Sequence, residues 1–170
     1  YSFLSAAAQY GNDLPQAEAI TQNMSNNAPG NQGLRIDYAS VLQARGLPRA
    51  AETELKKAEL LEPRNILLEV EQAWNALTLQ EWKQAKVLTE DVVARNPEAP
   101  AVKRIQRALE VHDMAELRIS GSSGLDSEGP DNGKHDVNFT SVVYSPPLNE
   151  NWRAFAGFGY ADGQFSEGKG

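Results

Sequence analysis

The chain has 170 residues, of which 41% are hydrophobic and 23% charged, so it holds enough apolar side chains to bury a core and is not wholly disordered. Its net charge of −7 disfavours nucleic acid as a partner, because binding to phosphates needs a basic surface. The absence of cysteine excludes disulfides and thiolate catalysis, and no apolar run reaches the roughly 18 residues that a membrane-spanning helix needs.

The first 115 residues have the composition of helices. Alanine, leucine and long charged or amide side chains dominate this part of the chain. These residues favour helix, and prolines and glycines interrupt them only briefly, so the sequence predicts seven helices. Their predicted ranges are 1–11, 14–26, 31–45, 48–61, 65–79, 82–95 and 99–115.

Two residue types recur in this helical part with a period of 34 residues. The positions are Pro29, Pro63, Pro97, Ala17, Ala51 and Ala85. This period is the length of a tetratricopeptide repeat, a helix–turn–helix unit that stacks into a solenoid. The alanines allow paired helices to approach closely, and the prolines end the second helix of each repeat. We therefore predict a mainly α fold, a right-handed tetratricopeptide-repeat α-solenoid with these alanines buried between paired helices.

The last predicted helix, 99–115, has a single apolar stripe formed by Val102, Ile105 and Leu109, and a basic opposite face. One stripe suits a helix that caps a solenoid, since only one of its sides is covered by a repeat. No comparable cap precedes the first repeat, and the chain begins at Tyr1 rather than at methionine. We therefore expect the chain to be a fragment with more repeats upstream.

After the helices, the polarity of the side chains alternates with a period of two. Residues 120–133 are rich in glycine, serine and aspartate, which breaks helical structure. Alternation through 116–121, 137–144 and 152–160 predicts antiparallel strands like those at the start of an outer-membrane β-barrel. Three strands cannot close a barrel, so residues 116–170 are predicted to be either the first strands of a truncated barrel or a small sheet packed on the solenoid.

The predicted binding surface is the concave face of the solenoid, which the first helix of each repeat lines. The candidate residues on this face are Gln9, Tyr10, Ile36, Ser40, Gln43, Val70, Trp74 and Thr78. Tyr10 and Trp74 have the aromatic rings that stack on sugars or anchor partner proteins. The alternative for Trp74 is a place in the core between helices. Lysine and asparagine pairs that clamp a peptide C-terminus in chaperone-type repeats are absent from these positions, which disfavours that role.

The sequence has no catalytic, metal-binding or cofactor-binding motif. Its two histidines, His112 and His135, lie in different halves of the chain. The glycines between residues 157 and 163 lie within a predicted strand rather than at a strand–helix turn, so they are not a dinucleotide-binding fingerprint. We therefore predict a protein that is not an enzyme and needs neither a cofactor nor a metal ion.

Two long segments carry a resemblance to a known family. They read AVKRIQRALEVHDMAELRISGSSGLDSEGPDNGKHDV and SVVYSPPLNENWRAFAGFGYADGQFSEG. With the repeats, they resemble the outer-membrane export porins for poly-β-1,6-N-acetyl-D-glucosamine, a biofilm exopolysaccharide of Gram-negative bacteria. The resemblance implies that residues 1–115 end a periplasmic repeat domain and that residues 116–170 begin a β-barrel in the outer membrane. It also implies that the repeats dock the periplasmic polysaccharide deacetylase, guide polymer to the pore, or do both.

Acidic residues near the predicted start of the barrel fit such a polymer. They are Asp126, Glu128, Asp131 and Asp136. Partly deacetylated polyglucosamine carries amines and is cationic when these are protonated, so we predict that these carboxylates face the polymer. The alternative is ordinary surface acidity. A second functional hypothesis also stays open, a generic tetratricopeptide adaptor for protein partners without a transport role, for which barrel-like strands would have no use.

Overall fold

A computed structural model describes Gly11, residues 13–126 and residues 134–163. The helices in this part of the chain are α1 (Leu14–Asn27), α2 (Gln32–Ala44), α3 (Pro48–Glu59), α4 (Ile66–Thr78), α5 (Trp82–Arg95) and α6 (Pro100–His112). The strands are β1 (Glu116–Asp126), β2 (Lys134–Tyr144) and β3 (Phe155–Gly163). The mainly helical fold with a few strands is therefore confirmed, while residues 1–10 of the predicted helix 1–11 lie outside the described residues.

The chain divides into two compact units, one ending at Leu109 and the other beginning at Glu110. The predicted domain boundary between residues 115 and 116 coincides with the start of β1 and stays a prediction. Among the described helices, none is long and apolar enough to cross a membrane.

Polar caps and a proline explain where the helices begin. The Asn31 side chain accepts a hydrogen bond from the backbone N–H of Leu34 at 3.2 Å, and Asn65 accepts one from Leu67 at 2.9 Å. These bonds satisfy backbone donors that have no partner within the helix. Helix α3 instead begins with Pro48, whose missing N–H costs nothing at that position. All six helices begin and end within three residues of the predicted limits.

The helices pack in sequence, α1 on α2, α2 on α3, α3 on α4 and α4 on α5. Ala17, Ala51 and Ala85 each have 0% of their surface exposed. Because only a small side chain lets two helix backbones come so close, this burial confirms the register of the 34-residue repeat.

Two buried polar side chains connect neighbouring helices. Gln32, at the start of α2, donates from Nε2 to the carbonyl oxygens of Ala58 at 2.9 Å and Glu62 at 2.6 Å. It thereby satisfies acceptors where α3 ends. Glu69 of α4 is 8% exposed and forms an ion pair with Arg95 of α5. A carboxylate this deeply buried needs such a partner, so the pair holds these two helices in one register.

Helix α6 covers the third repeat with its apolar stripe. Val102 and Ile105 are fully buried and pack with Val92 and Ala73, as the pattern of the last helix predicts. Leu109 lies in a second cluster with Ala76 and Ala85. The helix ends at His112, three residues before the predicted limit.

The three strands form one antiparallel sheet in the order β1-β2-β3. Glu116 pairs with Tyr144, and Tyr144 pairs with Phe155. The third strand was predicted from residue 152, and this limit is wrong, because β3 begins at Phe155. Past Tyr144, the Ser145 N–H still donates to the carbonyl oxygen of Ala154 at 2.8 Å. Pro146 and Pro147 lack the N–H that a ladder needs, so regular pairing ends there.

The two faces of the sheet differ in polarity. The register places Leu117, Ile119, Phe139, Val143 and Phe158 on one face, and all five are exposed. The opposite face carries small or polar residues over most of its length, among them Ser120, Ser122, Asn138, Thr140, Gly157 and Gly159. This separation is the one that a strand between lipid and an aqueous lumen requires.

Candidate functional site

The structure places the described candidates on α2 and α4 with unequal access to solvent. Ile36, Ser40 and Gln43 of α2 are half-buried, and Ile36 packs against the core of the second repeat. Thr78 of α4 is exposed, but its hydroxyl donates to the carbonyl oxygen of Trp74 at 3.0 Å. Gln9 and Tyr10 lie outside the described residues.

One candidate is misplaced. Val70 is 3% exposed and packs with Val92, Val102 and Ile105, so it is core and cannot contact a ligand. The prediction was wrong because it assigned the concave face from positions within a single repeat and left out the helix that follows that repeat. Helix α6 covers this position of α4.

Trp74 combines the two alternatives that the sequence left open. It is half-buried and packs against the core cluster that contains Val70 and Ala73, while the rest of its surface stays accessible. Because the core already restricts this indole on one side, the side chain loses little further conformational entropy when a ligand binds. Trp74 therefore suits a binding surface better than a freely rotating side chain would.

Two carboxylates beside these candidates were missed from the sequence. Burial raises the pKa of Glu71, and the neighbouring charge of Asp37 raises it further, while Arg104 opposes the shift. Burial also raises the pKa of Asp37. Asp37 is nonetheless exposed to solvent. The sequence contained a signal for this pair, since Asp37 and Glu71 are 34 residues apart and so occupy the same position in successive repeats.

The charges of Asp37 on α2 and Arg104 on α6 both act on Glu71 of α4. We name a set of residues on α2 and α4 the carboxylate groove, defined as Asp37, Ser40, Gln43, Glu71 and Trp74. Gln43 donates from Nε2 to the carbonyl oxygen of Glu71 at 3.4 Å, which links the two repeats within it. Two partly desolvated carboxylates with raised pKa values favour a cation, since a positive charge beside them stabilises their ionised forms. The groove is therefore suited to an amine-bearing ligand with a face that can stack on an indole.

The predicted acidic cluster near the strands is only partly described. Glu128 and Asp131 lie outside the described residues. The backbone register places Asp126 opposite Lys134, and Asp136 opposite Gly124 and Gly163. That these residues face the polymer stays a prediction. Across the described residues, no group of three metal-ligating side chains is present.

Arg153 makes an unpredicted contact where α6 ends. Its guanidinium donates to the carbonyl oxygen of Met114 at 3.0 Å and to that of His112. It also reaches the carbonyl oxygen of Ser145 at 3.5 Å. The last carbonyls of a helix lack partners within the helix and carry partial negative charge, so a guanidinium is well suited to bind them. Arg153 thereby ties the residues between α6 and β1 to the turn between β2 and β3.

Comparison with solved structures defines the class of the helical part. The tetratricopeptide-repeat domain of Arabidopsis OM64 superposes with a TM-score of 0.56 at 18% identity, covering 64% of this chain and 89% of that one. PcrH, solved in complex with the chaperone binding region of PopD, gives a TM-score of 0.56 at 16% identity, covering 65% of this chain and 86% of that one. At these identities the likeness shows the fold, which is that of tetratricopeptide repeats.

Sequence comparisons show which proteins this chain is similar to. Residues 111–170 match the family described as the PgaA membrane beta barrel domain. The whole chain is 73% identical over 170 residues to the poly-beta-1,6-N-acetyl-D-glucosamine export protein of Escherichia coli strain K12. The chain spans 21% of the length of that relative. The resemblance predicted from the sequence is confirmed, and the name of the relative describes export rather than catalysis.

Proposed function

We propose that this chain is part of an outer-membrane export component for poly-β-1,6-N-acetyl-D-glucosamine. The observation that carries the proposal is the 73% identity, which extends over the repeats and the strands alike. The aligned relative therefore contains both units in the same order along its chain. The two-faced sheet supports it, because it has the polarity that a membrane barrel requires.

In this proposal the repeats lie in the periplasm and end near residue 115, and the strands from residue 116 begin the barrel. The repeats then meet the polymer before it enters the pore. The acidic residues Asp126, Glu128, Asp131 and Asp136 would follow along the polymer's path. Their negative charge complements the amines of a partly deacetylated chain.

The carboxylate groove is the proposed polymer-binding surface of the repeats. Asp37 and Glu71 would pair with glucosaminium groups, which relieves the cost of holding two desolvated carboxylates near each other. Trp74 would stack on the C–H face of a sugar ring, and Ser40 and Gln43 would bond to its hydroxyls. Arg104 keeps the attraction moderate, so binding should be weak enough for the polymer to move on.

A protein partner is the second candidate for the same repeats. PcrH has this fold and was solved with a segment of another protein, which supports docking of the periplasmic deacetylase on the repeats of this chain. The generic adaptor hypothesis is weaker, because an adaptor has no need of the residues that match a membrane barrel domain.

Calorimetric titration of the complete protein with glucosamine oligomers tests the proposal. We expect weak binding of partly deacetylated oligomers, weaker binding of fully acetylated ones, and a loss of this preference at high salt, since exposed charges are screened. The double variant Asp37→Asn, Glu71→Gln should lower affinity for the deacetylated oligomers several-fold. Glu90→Gln, an exposed carboxylate on α5, is the matched control. Equal affinity for both oligomers, or an unchanged double variant, would reject the groove.

A further inference from the structure

An aromatic pair interrupts the small and polar face of the sheet. Tyr144 and Phe155 are directly opposite each other on β2 and β3, with ring centroids 5.9 Å apart and planes tilted by 37°. The same face continues along β3 with Gly157 and Gly159. Phe155 is 72% exposed, so its ring is open to solvent on a face that is otherwise mostly small or polar, with Val142 as a further apolar side chain.

One of the two rings makes a cation–π contact with Arg118. The guanidinium carbon of Arg118 lies 5.2 Å from the centroid of the Tyr144 ring. Arg118 in turn forms an ion pair with Glu116 at 2.5 Å. Arg118 thus occupies the Tyr144 side of the pair, and the Phe155 ring remains available.

The pair lies at the end of the sheet where the polypeptide arrives from α6. Glu116 is the first residue of β1, Tyr144 the last of β2 and Phe155 the first of β3. The opposite face carries the exposed apolar side chains and is the one that meets lipid in a membrane barrel. In the proposed barrel the aromatic pair would therefore face the lumen, at the end of the strands that follows the repeats along the chain.

From this geometry we propose that Phe155 and Tyr144, with Arg118 beside them, form a stacking site for N-acetylglucosamine units at the mouth of the pore. The proposal rests on the proposed export function. A β-linked pyranose ring has a face made of C–H groups, which packs on an aromatic ring in the way apolar surfaces do. Because Arg118 is paired with Glu116, the site carries no net charge, and it binds the C–H face of the sugar rather than selecting for charge as the carboxylate groove does.

Current blockade by sugar oligomers tests this site in the complete protein inserted in a planar lipid bilayer. Fully acetylated β-1,6-linked glucosamine hexamer is the probe, and the mean duration of single blockades is measured. Phe155→Leu keeps apolar volume but removes the ring, and it should shorten blockades roughly 3- to 10-fold, the range expected for one aromatic contact. Phe155→Tyr keeps the ring and should preserve them. Blockades by fully deacetylated hexamer should shorten as well, because its rings have the same C–H face.

Phe158→Leu is the matched control, since Phe158 is 65% exposed on the opposite face of the same strand. Unchanged open-channel conductance shows that each variant has folded and inserted. Equal durations for Phe155→Leu and the unsubstituted protein, or equal shortening by Phe158→Leu, would overturn the stacking site alone. If neither oligomer blocks the unsubstituted protein, the export proposal fails as well, because no sugar then enters the pore.

Discussion

Glu71 is the residue in which stability and binding oppose each other. Its folded-state pKa is raised by burial and by Asp37, so the ionised form is less favourable in the folded chain than in the unfolded chain. The protonated form has no such disadvantage. Stability linked to Glu71 is therefore fully present below its unfolded pKa and is lost as the pH rises through the folded pKa.

We expect Glu71→Gln to raise the free energy of unfolding at neutral pH, because it removes a desolvated charge while keeping a similar shape. The same variant should flatten the fall in stability between mildly acidic and neutral pH. Denaturant unfolding at several pH values measures both effects, with Glu90→Gln as control. Parallel pH profiles for Glu71→Gln and the unsubstituted chain would contradict this account.

Half-buried polar residues such as Ser40 and Gln43 show why a binding surface on repeats can change without loss of the fold. They belong to the carboxylate groove, while fully buried residues such as Leu55 and Leu68 hold the helices together. Substitutions of Ser40 and Gln43 should therefore alter ligand preference more than stability, since changes outside the core cost little.

At the scale of elements, the pairing of helices depends on small residues. Ala51 has no exposed surface and belongs to the cluster with Tyr38, Ala39 and Leu55. No space is left there for a larger side chain unless α2 and α3 move apart.

We expect Ala51→Leu to destabilise the repeats by about 1–3 kcal/mol through overpacking. Ala50→Leu is the control, because Ala50 is exposed on the same helix and should change stability by less than about 0.5 kcal/mol. Thermal or denaturant unfolding compares the two. A variant at Ala51 as stable as the control would mean that the repeat register is wrong.

At the scale of the whole molecule, the two units differ in what stabilises them. The helical unit contains every residue described as buried, including Val92, Val102 and Ile105. In the strands no residue of described burial is buried, so this sheet has no core of its own. A three-stranded sheet without a buried face is marginal in water, and the lipid and further strands of a barrel would supply what it lacks.

Hydrogen exchange should reveal this difference. In the isolated 170-residue chain we expect slow exchange within α2–α6 and fast exchange through 137–144 and 155–163, whereas the complete protein in a membrane should protect both regions. The physical reason is that amide protection follows the burial and cooperativity of the surrounding structure. Strong protection of the strands in the isolated monomer, independent of protein concentration, would show a self-sufficient sheet and contradict the barrel interpretation.

Local spacing in the sequence determined much of this architecture. A period of 34 residues specified the helix pairs and the burial of Ala17, Ala51 and Ala85, because each repeat meets its neighbours in the same way. Alternation with a period of two specified the strands and their two faces.

The spacing of residues in the sequence could not predict contacts between elements that are distant along the chain. Only the tertiary structure shows that α6 buries Val70, and that Arg104 lies close enough to Glu71 to oppose the shift in its pKa. Likewise, the stacking of Phe155 beside Tyr144 depends on the register between β2 and β3, which the turn containing two prolines sets. Periodic patterns encode which side of an element faces inward, but the identity of the neighbour on that side is decided only when the elements pack.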